Sequence, residues 1–241
     1  MTTVEESDLP SSSKPWSDPA SWKSGAVPVE DEEVIIDSDM WIELDLAETP
    51  RLKSLEINGK LSFKDDKANL PSVNLKSHLI WVRAGELAAG SSSTPYDADL
   101  TIEMLGHTES PTLTLGGTVK AGNKVLASNN KVELYGKPRF SMSRMLAEAN
   151  AGDDSITVDA TDSTFDWAVG DKLFIATSTI NNTHSEYKTI SAISGGVITL
   201  DSPLDYYHYG AAESTATTYN GVDIRNEVAL LTRNVLVKGE E

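Results

Sequence analysis

The chain has 241 residues, of which 39% are hydrophobic, and 37 acidic against 20 basic side chains give it a formal net charge of −17. That length and apolar content can bury the core of one large or two small domains, while the charge disfavours nucleic acid, anionic lipid and polyanionic glycans, which are held by clustered Lys and Arg. No run of about 20 apolar residues is present to span a bilayer, and the absence of cysteine excludes a disulfide framework and any thiolate metal site.

Residues 1–14 are polar and rich in Ser, Pro and Glu, and are expected to form a disordered lead-in; they carry no apolar stretch of the kind a secretory signal needs. From Trp16 the pattern changes to Trp-Ser-Asp-Pro-Ala-Ser-Trp. Asp18-Pro19 starts a turn, and the two indoles around it are expected to cap a hydrophobic end, with an exposed aromatic platform as the alternative. Between Ile42 and Tyr135, short apolar runs recur with glycine between them, as in Leu55-Glu56-Ile57-Asn58-Gly59 and Trp81-Val82-Arg83-Ala84-Gly85. Such irregular repeats fit the stacked coils of a β-solenoid or a sandwich of regular hairpins, which periodicity alone does not separate.

Residues 139–150 are expected to be a helical or irregular bridge. Beyond them, alternating runs at Ser155–Val158, Lys172–Ala176, Lys188–Ile193 and Val197–Leu200, with a Gly195-Gly196 turn between the last two, predict a small barrel-like unit of about four strands. The segment Val222–Gly239 differs in kind: two apolar strands are joined through Thr232-Arg233-Asn234, and asparagine at such a corner can hydrogen-bond along a stack of coils. It is expected to open the first coil of a parallel β-helix over 222–241, after a first domain over 15–138 and the bridge and barrel-like unit over 139–221.

These residues resemble the G8 domain with the start of a parallel β-helix, as found in fibrocystin-like and in cell-migration-inducing, hyaluronan-processing cell-surface proteins. The resemblance rests on the Trp16–Trp22 opening, on Gly25, Gly59, Gly85, Gly90, Gly106, Gly117, Gly122 and Gly136, and above all on Glu227-Val228-Ala229-Leu230-Leu231-Thr232-Arg233-Asn234. It implies an all-β fold, made of a solenoid or sandwich-like G8 module, a small barrel-like insert and the first coil of a right-handed parallel β-helix. It also implies an extracellular or cell-surface setting within a larger β-helix protein, with a glycan as partner.

Candidate chemistry is sparse. The carboxylate groups Asp31-Glu32-Glu33, Asp65-Asp66 and Asp153-Asp154 read as solvated turns and not as a glycosidase pair. The four histidines are scarcer and more informative. His184 and Glu186, with His208 from Tyr-Tyr-His-Tyr-Gly, could meet as ligands of a divalent metal or as acid and base, against the alternative of a packed histidine. Calcium held by acidic loop oxygens is a further reading, without an EF-hand spacing to support it. Tyr206, Tyr207 and Tyr209 around His208 are the candidate glycan contacts, and strand alternation lets only some of these side chains share a face. Asn181-Asn182-Thr183 is a glycosylation sequon, with Asn181 as acceptor. The favoured function is a non-catalytic extracellular module that caps a β-helix and contributes to adhesion or glycan recognition. Part of a hyaluronan-type polysaccharide-degrading enzyme and a purely structural spacer are the alternatives.

Overall fold

The computed structural model describes residues 10–212, 218–219 and 222–240, so residues 1–9 of the expected lead-in lie outside the described residues. The chain divides into two compact units, one of residues 1–137 and 234–241 and the other of residues 138–233. Among the described residues it is all β, with two short 3-10 turns and no α-helix.

The first unit is wound from parallel strands in successive coils. Strands β1 (Lys14–Pro15), β2 (Glu33–Ile36) and β3 (Trp41–Leu44) form the first coil. Then come β4 (Ser54–Ile57), β5 (Lys60–Phe63) and β6 (Ser72–Ser77), followed by β7 (Leu79–Val82), β8 (Glu86–Ala89) and β9 (Asp99–Met104). After an antiparallel hairpin of β10 (Leu113–Leu115) and β11 (Val119–Gly122), the last coil begins with β12 (Val125–Ser128) and β13 (Lys131–Leu134). Stacking these coils yields three all-parallel sheets, ordered β1-β3-β5-β8-β13, β12-β7-β4-β2 and, once the chain returns from the second unit as β22 (Val235–Gly239), β22-β9-β6. Hairpin-built sandwiches are antiparallel, so the parallel pairing decides for the solenoid.

Local sequence explains each coil. The strands alternate half-buried and buried residues, so Leu55 and Ile57, Leu61 and Phe63, Ile80 and Val82 point inward while Glu56, Ser62 and Trp81 point out. Parallel register then stacks like on like, as in the column Ile42, Leu61, Leu87. The glycines at the corners are required by close approach: a Cβ on Gly85 would run into the carbonyl of Gly59 in the preceding coil, and one on Gly59 into those of Asp37 and Met40.

The two ends of this solenoid differ. At the first end, β1 lies along the edge of β3, and Trp16, fully buried, packs edge-on against Trp22 at 4.7 Å between ring centroids, with the Trp22 indole donating to the Trp16 carbonyl at 2.9 Å. Asp18 caps the 3-10 turn Pro19–Ser21 between them, which makes the tryptophan pair a core cap and not a platform. At the other end, β12, β13 and β22 are all edge strands, and residues that continue the inner columns are uncovered: Val132, in register with buried Leu87, is 36% exposed, and Val237, in register with buried Ile102, is 44% exposed.

The second unit is inserted between β13 and β22. Its strands are β14 (Met142–Arg144), β15 (Ser155–Thr157), β16 (Lys172–Ile175), β17 (Glu186–Ser194), β18 (Val197–Leu200), the short pair β19 (Thr218–Tyr219) and β20 (Val222–Asp223), and β21 (Glu227–Leu230). Six of them form an antiparallel sheet, β14-β21-β16-β17-β18-β15, whose edges meet through a Met145–Val158 bridge and bonds such as Leu146 N–H to Thr157 O at 2.8 Å. The barrel-like unit expected from four alternating runs therefore has six strands: β14 comes from the stretch read as a bridge, and β21 from the stretch read as a new coil. Residues 222–241 are accordingly divided, with Glu227–Leu230 antiparallel in this sheet and Val235–Gly239 parallel to β9 in the solenoid. Two apolar strands close in sequence look alike whether or not they share a sheet, since pairing partners are set by distant chain.

Asn234 closes the insertion. Its amide nitrogen donates to Tyr96 O at 2.6 Å and Ala98 O at 2.9 Å, and its Oδ1 accepts from Lys137 N–H at 2.8 Å. Asn234→Ala should lower stability by about 3 kcal/mol, roughly one for each hydrogen bond left unmade, as read by urea unfolding. Gly85→Ala should cost at least as much, about 3 kcal/mol or more, because the obstacle is backbone that cannot move aside. A Gly85→Ala protein as stable as the parent would contradict the stacked-glycine corner.

Candidate functional site

The expected site residues lie in the second unit, at the end of the sheet where β16 ends and β17 begins. Alternation along β17 turns Glu186 and Lys188 inward and leaves Tyr187 exposed. His208 is held by paired backbone hydrogen bonds to Ala149 and is fully buried. Its Nε2 lies 2.9 Å from Glu186 Oε1 and its Nδ1 2.9 Å from Ala176 O.

Every oxygen of Glu186 is engaged. Oε1 also accepts from Tyr206 N–H at 3.0 Å, while Oε2 accepts from Asp205 N–H at 2.9 Å and lies 3.1 Å from Lys188 Nζ. Lys188 in turn donates to Pro203 O at 2.6 Å. Burial by itself would push the Glu186 carboxyl up, but the Asp205 N–H, His208, Lys188 and the Tyr206 N–H together outweigh it and hold the group below the usual carboxylate range. The cluster thus pins the 202–208 loop onto β17. Its donor set is closed to a cation: an ammonium already occupies the place beside Glu186, and the His184 ring lies elsewhere, stacked on Tyr206 at 4.1 Å and bonded to Thr179 and Asn181. Among the described residues no group of three His, Cys, Asp or Glu is arranged to hold a metal. His208 with Glu186 is the part of the expected constellation that the fold brings together, and His184 stays outside it.

The Tyr-Tyr-His-Tyr string alternates as strand geometry demands. His208 points in, Tyr207 points out with its hydroxyl 3.3 Å from Glu148, Tyr206 is covered on one face by His184, and Tyr209 is half-buried with its N–H donating to Ser178 Oγ at 2.6 Å. Asn181 is exposed at the start of the 3-10 turn Asn182–His184, where its Oδ1 accepts from Thr183 N–H at 3.1 Å.

Beside this cluster is a cavity of about 450 Å³, lined by Arg144, Ser178, Thr179, Asp223, Asn226 and Glu227 among others. Arg144 donates to Glu227 Oε1 at 2.7 Å, and Arg225 Nη2 donates to Asp223 Oδ2 at 2.8 Å. These hydrogen bonds from Arg225 hold the Asp223 carboxyl down to about 2 against the opposing effect of burial, so it stays ionised through the neutral range. An acid that cleaves a glycosidic bond needs the opposite, a carboxyl kept protonated near neutrality. The cavity can accept and donate hydrogen bonds, but neither Asp223 nor Glu186 is suited to give up a proton. Sequence reading missed both Lys188 and this arginine-carboxylate group. The signal for the first was Glu186-Tyr187-Lys188, charges spaced two apart at the start of a strand, which put both on one face.

A chain wound in this way, with a glycine-cornered parallel solenoid carrying an antiparallel insert, is an all-β module. The G8 domain family matches residues 21–146, and the chain belongs to that family. It is 31% identical to Fibrocystin-L of Mus musculus and 31% identical to Fibrocystin-L of Homo sapiens, over 94% of its own length in each case. It is also 27% identical, over 93% of its length, to a G8 domain-containing protein of Dictyostelium discoideum. The chain spans about 5% of the length of the Fibrocystin-L relatives and 15% of the Dictyostelium one. No helix among the described residues is long and apolar enough to cross a membrane.

Because the Glu186 carboxyl is lowered in the fold, the stability it contributes is complete above its unfolded value, about 4.3, and is lost as pH falls through the lower folded value. Glu186→Gln should therefore cost about 3 kcal/mol at pH 7, where it strands two buried partners. Its deficit in melting temperature should shrink at pH 3. A deficit equal at both pH values would mean that the ionised carboxylate is not what the cluster uses.

Proposed function

We propose that this chain is a non-catalytic extracellular module that caps one end of a longer parallel β-helix and contributes to cell-surface adhesion or glycan recognition. The observation that supports it is the asymmetry of the solenoid. At its first end Trp16 and Trp22 pack on a core that keeps Val34, Ile36 and Ile42 buried, while the last coil leaves the inner-column residues Val132 and Val237 in solvent beside its edge strands. Bare edges next to apolar side chains favour the addition of another parallel coil, which would satisfy their hydrogen bonds and bury those side chains. The low Asp223 carboxyl and the closed bonding of Glu186 leave neither of them suited to the proton-donor role that glycan cleavage requires.

In isolation the open end should pair with a second copy at high concentration. Sedimentation velocity should show reversible self-association that the double change Val132→Lys with Val237→Lys abolishes without loss of melting temperature. A parent chain that stays monomeric at millimolar concentration would count against an open end. A glycan array combined with a polymer-length assay separates binding from cleavage, and any shortening of a bound polysaccharide would overturn the non-catalytic reading.

A further inference from the structure

A second concave site lies in the first unit, on the outer face of the β12-β7-β4-β2 sheet. There the β10–β11 hairpin rises beside the central strand β7 and encloses a groove of about 370 Å³. Its floor is Trp81, whose indole N–H donates to Asn129 Oδ1 at 2.7 Å, while the Arg83 guanidinium lies over one face of the ring, 5.2 Å from its centre, and leaves the opposite face as the one a ligand would stack on. The ring is therefore held in place before any ligand arrives, on a sheet that parallel stacking makes stiff. Hairpin residues Leu113, Thr114 and Gly116 form one wall, and a side chain added at Gly116 would meet the edge of the Trp81 ring.

The charges of the groove decide the class of ligand. Lys53 pairs with Glu33 at 2.7 Å and Arg83 with Glu56 at 2.8 Å, so the two acids and two bases lining it cancel in a protein of net charge −17. An anion gains nothing there and is repelled by the remainder of the surface, and a cation meets neutralised carboxylates. A neutral ring that offers a face of C–H bonds to the indole and hydroxyls to the flanking carboxylates and cations fits both features. We propose that the Trp81 groove is a binding site for an uncharged oligosaccharide, with Trp81 as the stacking platform and Glu56, Arg83 and Lys53 as hydroxyl partners.

This rests on the glycan-recognition part of the reading above and is independent of the capping part. It also moves the contact away from the Tyr206–Tyr209 string, where His208 is buried, to a ring that lines a groove.

The test is calorimetric titration of the full chain with hexasaccharides of glucose, mannose and N-acetylglucosamine, and with a hyaluronan hexasaccharide. At least one neutral hexasaccharide should bind, Trp81→Ala should weaken it at least about tenfold, and Tyr207→Ala should leave it unchanged. Thr114→Tyr, which fills the groove from the exposed hairpin without touching the core, should block binding even if Trp81→Ala fails to fold. Binding that survives Thr114→Tyr, or that Tyr207→Ala abolishes, overturns the site while leaving glycan recognition in place. Preference for the hyaluronan hexasaccharide overturns the uncharged class. Failure of every sugar to bind the parent chain overturns glycan recognition itself along with the site, and leaves the capping role standing.

Discussion

The interaction on which the solenoid's last coil depends is the three-way bond of Asn234. The chain leaves the last coil at Lys137 and returns at Asn234, and the Asn234 side chain binds the Lys137 N–H at the point of departure while its two amide hydrogens reach Tyr96 O and Ala98 O in the coil before. Without that junction β22 would have to find β9 across an insertion of 96 residues unaided (138–233). Loop-closure entropy grows slowly with length, so an insertion of this size is tolerable when its ends are tied together. Beyond the strand, Glu240 completes the anchorage through Arg51 at 2.6 Å and the Gly106 N–H at 3.0 Å.

The acidic surface looks at first like a liability for a stacked fold, because parallel strands in register place like residues above one another. The solenoid answers with mixed columns and not with uniform ones. Lys60 meets Glu86 on adjacent strands at 3.2 Å, Arg83 reaches Glu56, and Lys238 reaches Glu103 at 3.1 Å. These pairs run from largely buried, as at Lys60 and Glu86, to half-exposed, and they spare the sheet the repulsion that a column of carboxylates would impose. The same pairing leaves the Trp81 groove electrically neutral within an acidic molecule.

In the insert, polar groups are buried for support. Glu186, Lys188 and His208 satisfy one another and the backbone of the 202–208 loop, which lets an otherwise irregular segment pack against the sheet. Breaking such a cluster is costly because each remaining charge stays out of water. The histidine that sequence reasoning held as a candidate ligand or catalyst, against the alternative of a packed histidine, is thus best understood through its partners. Its neighbours in space, Ala176 O and Glu186, come from chain more than 20 residues away and leave no mark beside it in sequence.

Much of the local architecture was legible in the chain itself. The two-residue alternation of Leu55-Glu56-Ile57, the 26-residue step from Gly59 to Gly85 and the Gly195-Gly196 turn are properties of neighbouring residues, and backbone sterics translate them directly into strands, coil corners and a hairpin. Tertiary structure alone decided which strands pair and in which sense, so it separated solenoid from sandwich, sent Glu227–Leu230 and Val235–Gly239 into different units, and left Val132 and Val237 uncovered. It also placed Trp81 at an outer groove, which the strand pattern around it did not announce. Pairing and burial depend on segments far apart along the chain, and periodicity within one segment carries no information about its partner.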